Sequence, residues 1–195
     1  MKLITALIPT ILILFGCTHR QSHVQYMPCQ MVIPVNNACQ AHVDVCVKDL
    51  RVPELEVKEG ETEEAEAATE PPSNEIELTS CLKEALECEL AARGFCICSG
   101  KACVHVEIEK FETEFQRCYL NVSGNSCLVI KVKVTDSWGS SHFSQTIYGR
   151  GVIDNAYIES EENKTRALQC AFNNAIEQLM YNYNFIHAIL KINRL

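Results

Sequence analysis

Two groups of residues in this chain have types and spacings that suggest chemistry. The first is Cys96-x-Cys98-x₄-Cys103-x-His105, with four metal-ligating side chains in close succession. Tetrahedral zinc accepts three cysteines and a histidine, but its cysteines usually come with two to four residues between them, and Cys-x-Cys fits that spacing poorly. The second is Asp136, Ser141 and His142, which could supply the carboxylate, hydroxyl and imidazole of a hydrolase. A triad needs a nucleophile oriented by a base, and the base by a carboxylate. These three lie on or beside a polar turn, Asp136-Ser137-Trp138-Gly139-Ser140, where turn chemistry alone accounts for them. The sequence contains no Gly-x-Ser-x-Gly elbow and no phosphate-cradling glycine loop. The expectation is therefore no catalytic residue, no metal, no cofactor and no enzymatic activity.

Apart from these two groups stands a single reactive residue, Cys17. It ends the run Leu14-Phe15-Gly16-Cys17, after an apolar stretch from Leu3 to Phe15 that begins behind Lys2. A basic start, an apolar run and a small residue before the cut form an export signal. A cysteine directly after the cut is the acceptor of a bacterial lipoprotein anchor. The apolar stretch carries Thr5, Pro9 and Thr10 and falls short of the roughly 20 residues that a spanning helix needs. Residues 1–16 thus read as a lipoprotein signal peptide and Cys17 as the lipid-attachment residue, carrying palmitate-type chains. Thr18 stands where an aspartate would favour the inner membrane, which points to the outer membrane with the protein facing the periplasm.

Export sets the expectation for the other cysteines. They are Cys29, Cys39, Cys46, Cys81, Cys88, Cys96, Cys98, Cys103, Cys118, Cys127 and Cys170. An oxidising compartment makes disulfides the default, and an odd number leaves one thiol free or bonded to another chain. The connectivity is open. A disulfide-linked homo- or hetero-oligomer is one consequence.

The formal net charge is −8. Much of it lies between Glu54 and Pro72, where eight glutamates stand against one lysine. Such a block stays solvated, so residues 54–72 read as an acidic disordered insertion. No cluster of Lys and Arg suggests a nucleic-acid partner. The sequons at Asn121 and Asn163 are chance matches in a bacterial chain. Trp138, the single tryptophan, sits at a turn tip where it could meet a protein partner.

The elements that position these residues follow from periodicity. Residues 17–40 lack it and read as a flexible tether; the domain is expected over 41–195. Val43, Val45 and Val47 alternate as a strand. Leu78, Cys81, Leu82, Ala85, Leu86 and Leu90 form a helical stripe from about Asn74 to Arg93, interrupted by Glu89 and ended by Gly94. Phe95-Cys96-Ile97 is a short extended segment. Three longer strands carry Val104, Val106 and Ile108, then Leu128, Ile130, Val132 and Val134, then Phe143, Ile147 and Tyr148. A second helix spans about Ser160 to Tyr183, and Phe185 to Lys191 could form a last short one. The fold class is α+β, a mostly antiparallel sheet with two main helices packed on one face.

The stretch Cys81-Leu82-Lys83-Glu84-Ala85-Leu86 through Ala91-Ala92-Arg93-Gly94-Phe95 resembles the YajG-like lipoproteins, which have a helix ending in a small-residue-Arg-Gly-aromatic corner before a strand. The strand pair Leu128–Thr135 and Phe143–Gly149, the helix from Arg166 to Leu179 and the closing Phe185-Ile186-His187 are similar to that family in order. The acidic insertion and the many cysteines depart from it. The resemblance implies an envelope lipoprotein of non-enzymatic, structural or protein-binding role, attached to the membrane through its lipid. Two neighbouring groups share the layout: the LPS-assembly lipoprotein LptE and the auxiliary lipoproteins of ABC-type transport systems. They imply the alternative role of an accessory to an LPS or lipid transport machine.

Overall fold

A computed structural model describes residues 24, 26–28, 32–51, 73–117, 122–156 and 159–194. Residues 1–16, expected to be a signal peptide, together with Cys17, Cys29, Cys118 and the acidic run 54–72, lie outside the described residues. A short 3₁₀ turn, Ala38–Gln40, leads into β1 (His42–Asp49). Then come α1 (Ser73–Ala92), β2 (Cys96–Ile97), β3 (Ala102–Arg117), β4 (Val122–Thr135), β5 (Ser141–Ala156), α2 (Glu161–Met180) and α3 (Tyr183–Arg194).

The class is α+β, as the alternation and helical stripes require. The sheet is mixed, in the order β2-β1-β3-β4-β5. β3, β4 and β5 form an antiparallel meander, whereas β1 runs parallel to both β2 and β3. β1 therefore lies between two strands that are consecutive in sequence. The link from β2 to β3 must pass close against the start of β1, and Gly100 permits it: a Cβ there would fall 2.5 Å from His42 Cβ and 2.7 Å from the His42 carbonyl oxygen.

The even-numbered valines and isoleucines of β3 and β4 are buried together with Val43 and Val45 of β1. Leu82, Leu86 and Leu90 of α1, Phe172 and Ile176 of α2, and Phe185 and Ile189 of α3 cover them in one continuous core. Phe143 meets Phe185 edge to face, with ring centroids 5.6 Å apart. The third helix is thus a full member of the helical layer. Tyr148 lies on the other side of the sheet from Phe143 and Ile147 and is exposed, as the parity of the strand demands.

Local signals explain the boundaries. Ser160 caps α2, its hydroxyl accepting from the Asn163 N–H at 3.2 Å. Gly94 takes a positive φ of 99° after α1, and the Gly94 and Phe95 amides donate back to the Ala91 and Leu90 carbonyls. That pair of bonds is a Schellman termination, with Phe95 buried beside Leu90. β3 runs eight residues past Glu109, and its register against β4 shifts between Ile108 and Lys110. The extra residue reverses the phase, so that Phe111 packs on the core where continued alternation from Ile108 would have left it outside.

Glu89, which interrupts the apolar stripe of α1, is buried and paired one turn later with the equally buried Arg93. Arg93 Nη1 also donates to the Glu89 carbonyl at 3.1 Å, and the Tyr26 hydroxyl donates to Glu89 Oε1. The Arg93 guanidinium lies 6.0 Å from the Tyr181 ring centroid. Removing one partner of such a pair strands a buried charge at a cost of about 3–5 kcal/mol. The same network explains a difference from the expected tether. Tyr26 and Val35 pack against the core, and the Val35 N–H donates to the Arg93 carbonyl at 3.0 Å. Part of the segment before residue 41 is therefore docked on α1.

The tightest packing joins α2 to β5. A Cβ on Gly149 would stand 2.1 Å from the Ala171 carbonyl oxygen, and one on Gly151 would stand 2.0 Å from that of Ala167. Only backbone fits between strand and helix at these points. Gly151→Ala should lower the unfolding free energy by about 3 kcal/mol, since added volume in a filled contact forces helix and strand apart. Denaturant unfolding checks this as a lower midpoint at unchanged slope.

Candidate functional site

Among the described residues all helices lie on one face, and the other face of the sheet is open and polar. In β1 the alternation that buries Val43 and Val45 turns Asp44, Cys46 and Lys48 outward. In β3 it turns out Cys103, His105 and Glu107, and in β4 Lys131 and Lys133. The parallel register sets Cys46 opposite His105 and Lys48 opposite Glu107; across β4, Glu107 opposes Lys131. The Lys131 ammonium lies 3.8 Å from Glu107. A cleft of about 430 Å³ opens here, lined by Cys46, Lys48, His105, Glu107, Lys133 and Thr135 among others.

Three side chains converge in this region. Cys103 Sγ lies 3.9 Å from Cys46 Sγ and 4.0 Å from His105 Nδ1. The ligand atoms of Cys46, Cys103 and His105 all fall within 4.8 Å of one another. On its far side, His105 Nε2 is 3.1 Å from the hydroxyl of buried Thr135. Burial first, and then the Cys46 sulfur beside it, push the Cys103 thiol up to about 12.

The four-ligand run of the sequence is divided by the topology. β1 intervenes between β2 and β3, so Cys103 and His105 take their third neighbour, Cys46, from β1. Cys98 instead lies 2.9 Å from His42 Nδ1, and Cys96 Sγ donates to the Cys39 carbonyl at 3.2 Å. Cys46 escaped the sequence reading because it is far from Cys103 in the chain. Its outward parity was legible, but its parallel neighbour was not.

None of the nine described cysteines Cys39, Cys46, Cys81, Cys88, Cys96, Cys98, Cys103, Cys127 and Cys170 is joined to another in this structure. Cys39, Cys88, Cys98 and Cys170 are exposed. Cys81 donates to the Val24 carbonyl at 3.4 Å, and Cys127 is half-buried on β4.

The hydrolase trio is only partly assembled. His142 Nε2 lies 3.0 Å from Asp136 Oδ2, while Asp136 Oδ1 accepts from the Trp138 and Ser140 amides at 2.9 Å. The Ser141 hydroxyl donates to the Phe143 carbonyl at 3.3 Å. Asp136 thus holds the β4–β5 turn together, with Trp138 at its tip 90% exposed.

The family model described as "uncharacterized lipoprotein" matches residues 31–191, and the chain belongs to that lipoprotein family. No curated protein matches it. The fold is similar to that of a Xanthomonas campestris protein of the DUF330 family, with a TM-score of 0.54 at 12% identity, covering 87% of this chain and 99% of that one. A minor lipoprotein from Acinetobacter baumannii aligns at a TM-score of 0.47 and 9% identity, over 76% of this chain and 93% of that one. At such identities the likeness to solved structures is one of fold.

The turn makes a pH-dependent prediction. Hydrogen bonding to His142, and then to the Ser140 and Trp138 amides, holds the Asp136 carboxyl below its usual value. Its stabilising contribution is present above the ordinary aspartate range and is lost as pH falls through the lowered folded value. His142→Ala should move that midpoint upward in a carboxyl NMR titration, whereas Ser141→Ala should leave it in place.

Proposed function

We propose that this protein is a lipid-anchored component of a bacterial envelope, acylated at Cys17 and acting by binding another envelope protein, without catalysis. The observation that carries this reading is the lipoprotein family match over 31–191, joined to the signal that ends at Cys17. Among the described residues no helix is long and apolar enough to cross a membrane. Two or more acyl chains would supply stable anchoring, since a single chain binds only marginally. Thr18 favours the outer membrane, with the domain facing the periplasm. The YajG-like kind is the best fit within this class, because the Ala92-Arg93-Gly94-Phe95 corner that suggested it forms a structural helix termination.

The surface favours some contact points over others. β5 is the long edge strand, and an open edge invites strand addition by a partner. Here the edge is dressed from α2: Asn174 Oδ1 accepts from the Arg150 N–H at 3.0 Å, and Gln178 donates to the Tyr148 carbonyl at 3.0 Å. That favours the Trp138 tip as the protein-binding surface, with the exposed Tyr148 and Val152 standing further along β5. The exposed thiols Cys39, Cys88 and Cys170 are available for a cystine to a second chain.

Growth with a labelled fatty acid tests the anchor. The wild-type chain should carry the label and sediment with membranes. Cys17→Ser should abolish labelling and leave the chain uncleaved or unanchored. A Cys17→Ser chain that is still acylated would overturn the reading.

A further inference from the structure

We propose that Cys46, Cys103 and His105 form a binding site for a thiophilic metal ion, Zn²⁺ in the first instance, on the open face of the sheet. Zinc–sulfur bonds of about 2.3 Å and zinc–nitrogen bonds of about 2.0–2.1 Å, at tetrahedral to trigonal angles, set ligand atoms roughly 3.5–4.0 Å apart. The Cys46–Cys103 and Cys103–His105 separations are 3.9 Å and 4.0 Å. The Cys46 and His105 ligand atoms lie within 4.8 Å, so an ion between the three reaches each ligand after rotamer adjustment. Two thiolates and an imidazole are a soft to borderline donor set suited to zinc or Cu(I) and unsuited to Ca²⁺ or Mg²⁺.

A second observation supports the imidazole as a ligand. Metal-binding histidines usually commit their other nitrogen to an outer partner that fixes the ring and its tautomer. His105 Nε2 lies 3.1 Å from the Thr135 hydroxyl, and Thr135 is buried. With Nε2–H donating to that oxygen, Nδ1 keeps its lone pair and faces Cys103. Two thiolates balance one divalent ion and the imidazole is neutral, so the centre carries no net charge to bury beside Lys48, Lys131 and Lys133 of the cleft. Three protein ligands leave a fourth position, open to the cleft, for water or an exogenous donor.

The competing chemistry is a Cys46–Cys103 disulfide, and the register disfavours it. Cys46 opposes His105, not Cys103, so the two cysteines are diagonal neighbours on parallel strands. Strand spacing and rise place their Cα atoms about 8 Å apart. A disulfide usually needs about 4.4–6.8 Å. Closing it would require β1 to slide along β3, which the buried valines on the opposite face resist.

The test uses the full-length chain in detergent, reduced, stripped of metal and titrated with Zn²⁺, with Co²⁺ as the spectroscopic probe. One tightly held equivalent is expected, with a thiolate-to-cobalt charge-transfer band and tetrahedral ligand-field bands. Cys46→Ser and Cys103→Ser should each reduce the charge-transfer intensity and weaken zinc at least about tenfold. Thr135→Val should weaken it about 10- to 100-fold with the ligand count unchanged. Cys98→Ser, in the separate pair with His42, should leave this equivalent intact. Zinc-edge X-ray absorption on the wild-type chain keeps the proposal testable if a variant misfolds: two sulfurs and one imidazole are expected. Unchanged affinity in Cys46→Ser and Cys103→Ser, a first shell without sulfur, or a Cys46–Cys103 cystine in the protein as isolated would each overturn it.

Discussion

The structure depends on a place where two side chains are missing. Gly149 and Gly151 leave bare backbone on the inner face of β5, and the small residues Ala167, Ala171 and Ala175 of α2 sit directly on it. Helix and strand approach until backbone carbonyls of α2 lie where the glycine Cβ atoms would be. That approach fixes the height of the whole helical layer. It lets Phe172 and Ile176 reach the central strands and brings α3 down so that Phe185 meets Phe143. Close packing of this kind admits few alternatives, because interiors at crystal-like density tolerate neither a void nor an added methyl.

The same approach determines what the outside of the sheet offers. α2 lies near enough to β5 for Asn174 and Gln178 to reach over and satisfy outward amide and carbonyl groups of the edge strand. An edge that would otherwise template pairing with another chain is blunted by side chains of the domain's own helix. At the opposite border the sheet ends in the two-residue β2, too short to extend a ladder. With both borders modest and the described helices on one side, the polar face and the turn at Trp138 are the exposed ground that the sheet itself offers. A lipoprotein domain held close to a bilayer benefits from edges that do not self-associate, since anchoring concentrates copies in two dimensions.

Much of this was legible in the sequence, and the rest was not, for identifiable reasons. Alternation assigned the inward valines of β1, β3 and β4, and with them the outward set that contains Cys46, Cys103 and His105. Gly94 announced the end of α1 through capping chemistry that is local by nature. Pairing order is not local. Nothing in the alternation of Val43, Val45 and Val47 distinguishes a parallel neighbour from an antiparallel one, so the insertion of β1 between β2 and β3 was hidden. The bulge at Ile108–Lys110 hid the second half of β3 by reversing its phase. Glu89 looked like a flaw in an apolar stripe; its Arg93 partner at i+4 is local, but Tyr26, the other group that makes its burial tolerable, is recognisable only once the N-terminal segment is docked. The metal-ligand spacing failed for the same topological reason, since ligands adjacent in sequence were parted by β1 and a distant one was brought in.

The most direct test of the account is native-state hydrogen exchange on the full chain. If α2 is seated on bare β5 backbone as described, the amides of α2 around Ala171 and Ala175 and those of β5 paired with β4 open only with global unfolding. They should share the exchange free energy of the β3–β4 ladder. Exchange of α2 through a local opening several kcal/mol below the global value, with β3 and β4 still protected, would contradict the claim that this contact governs the fold.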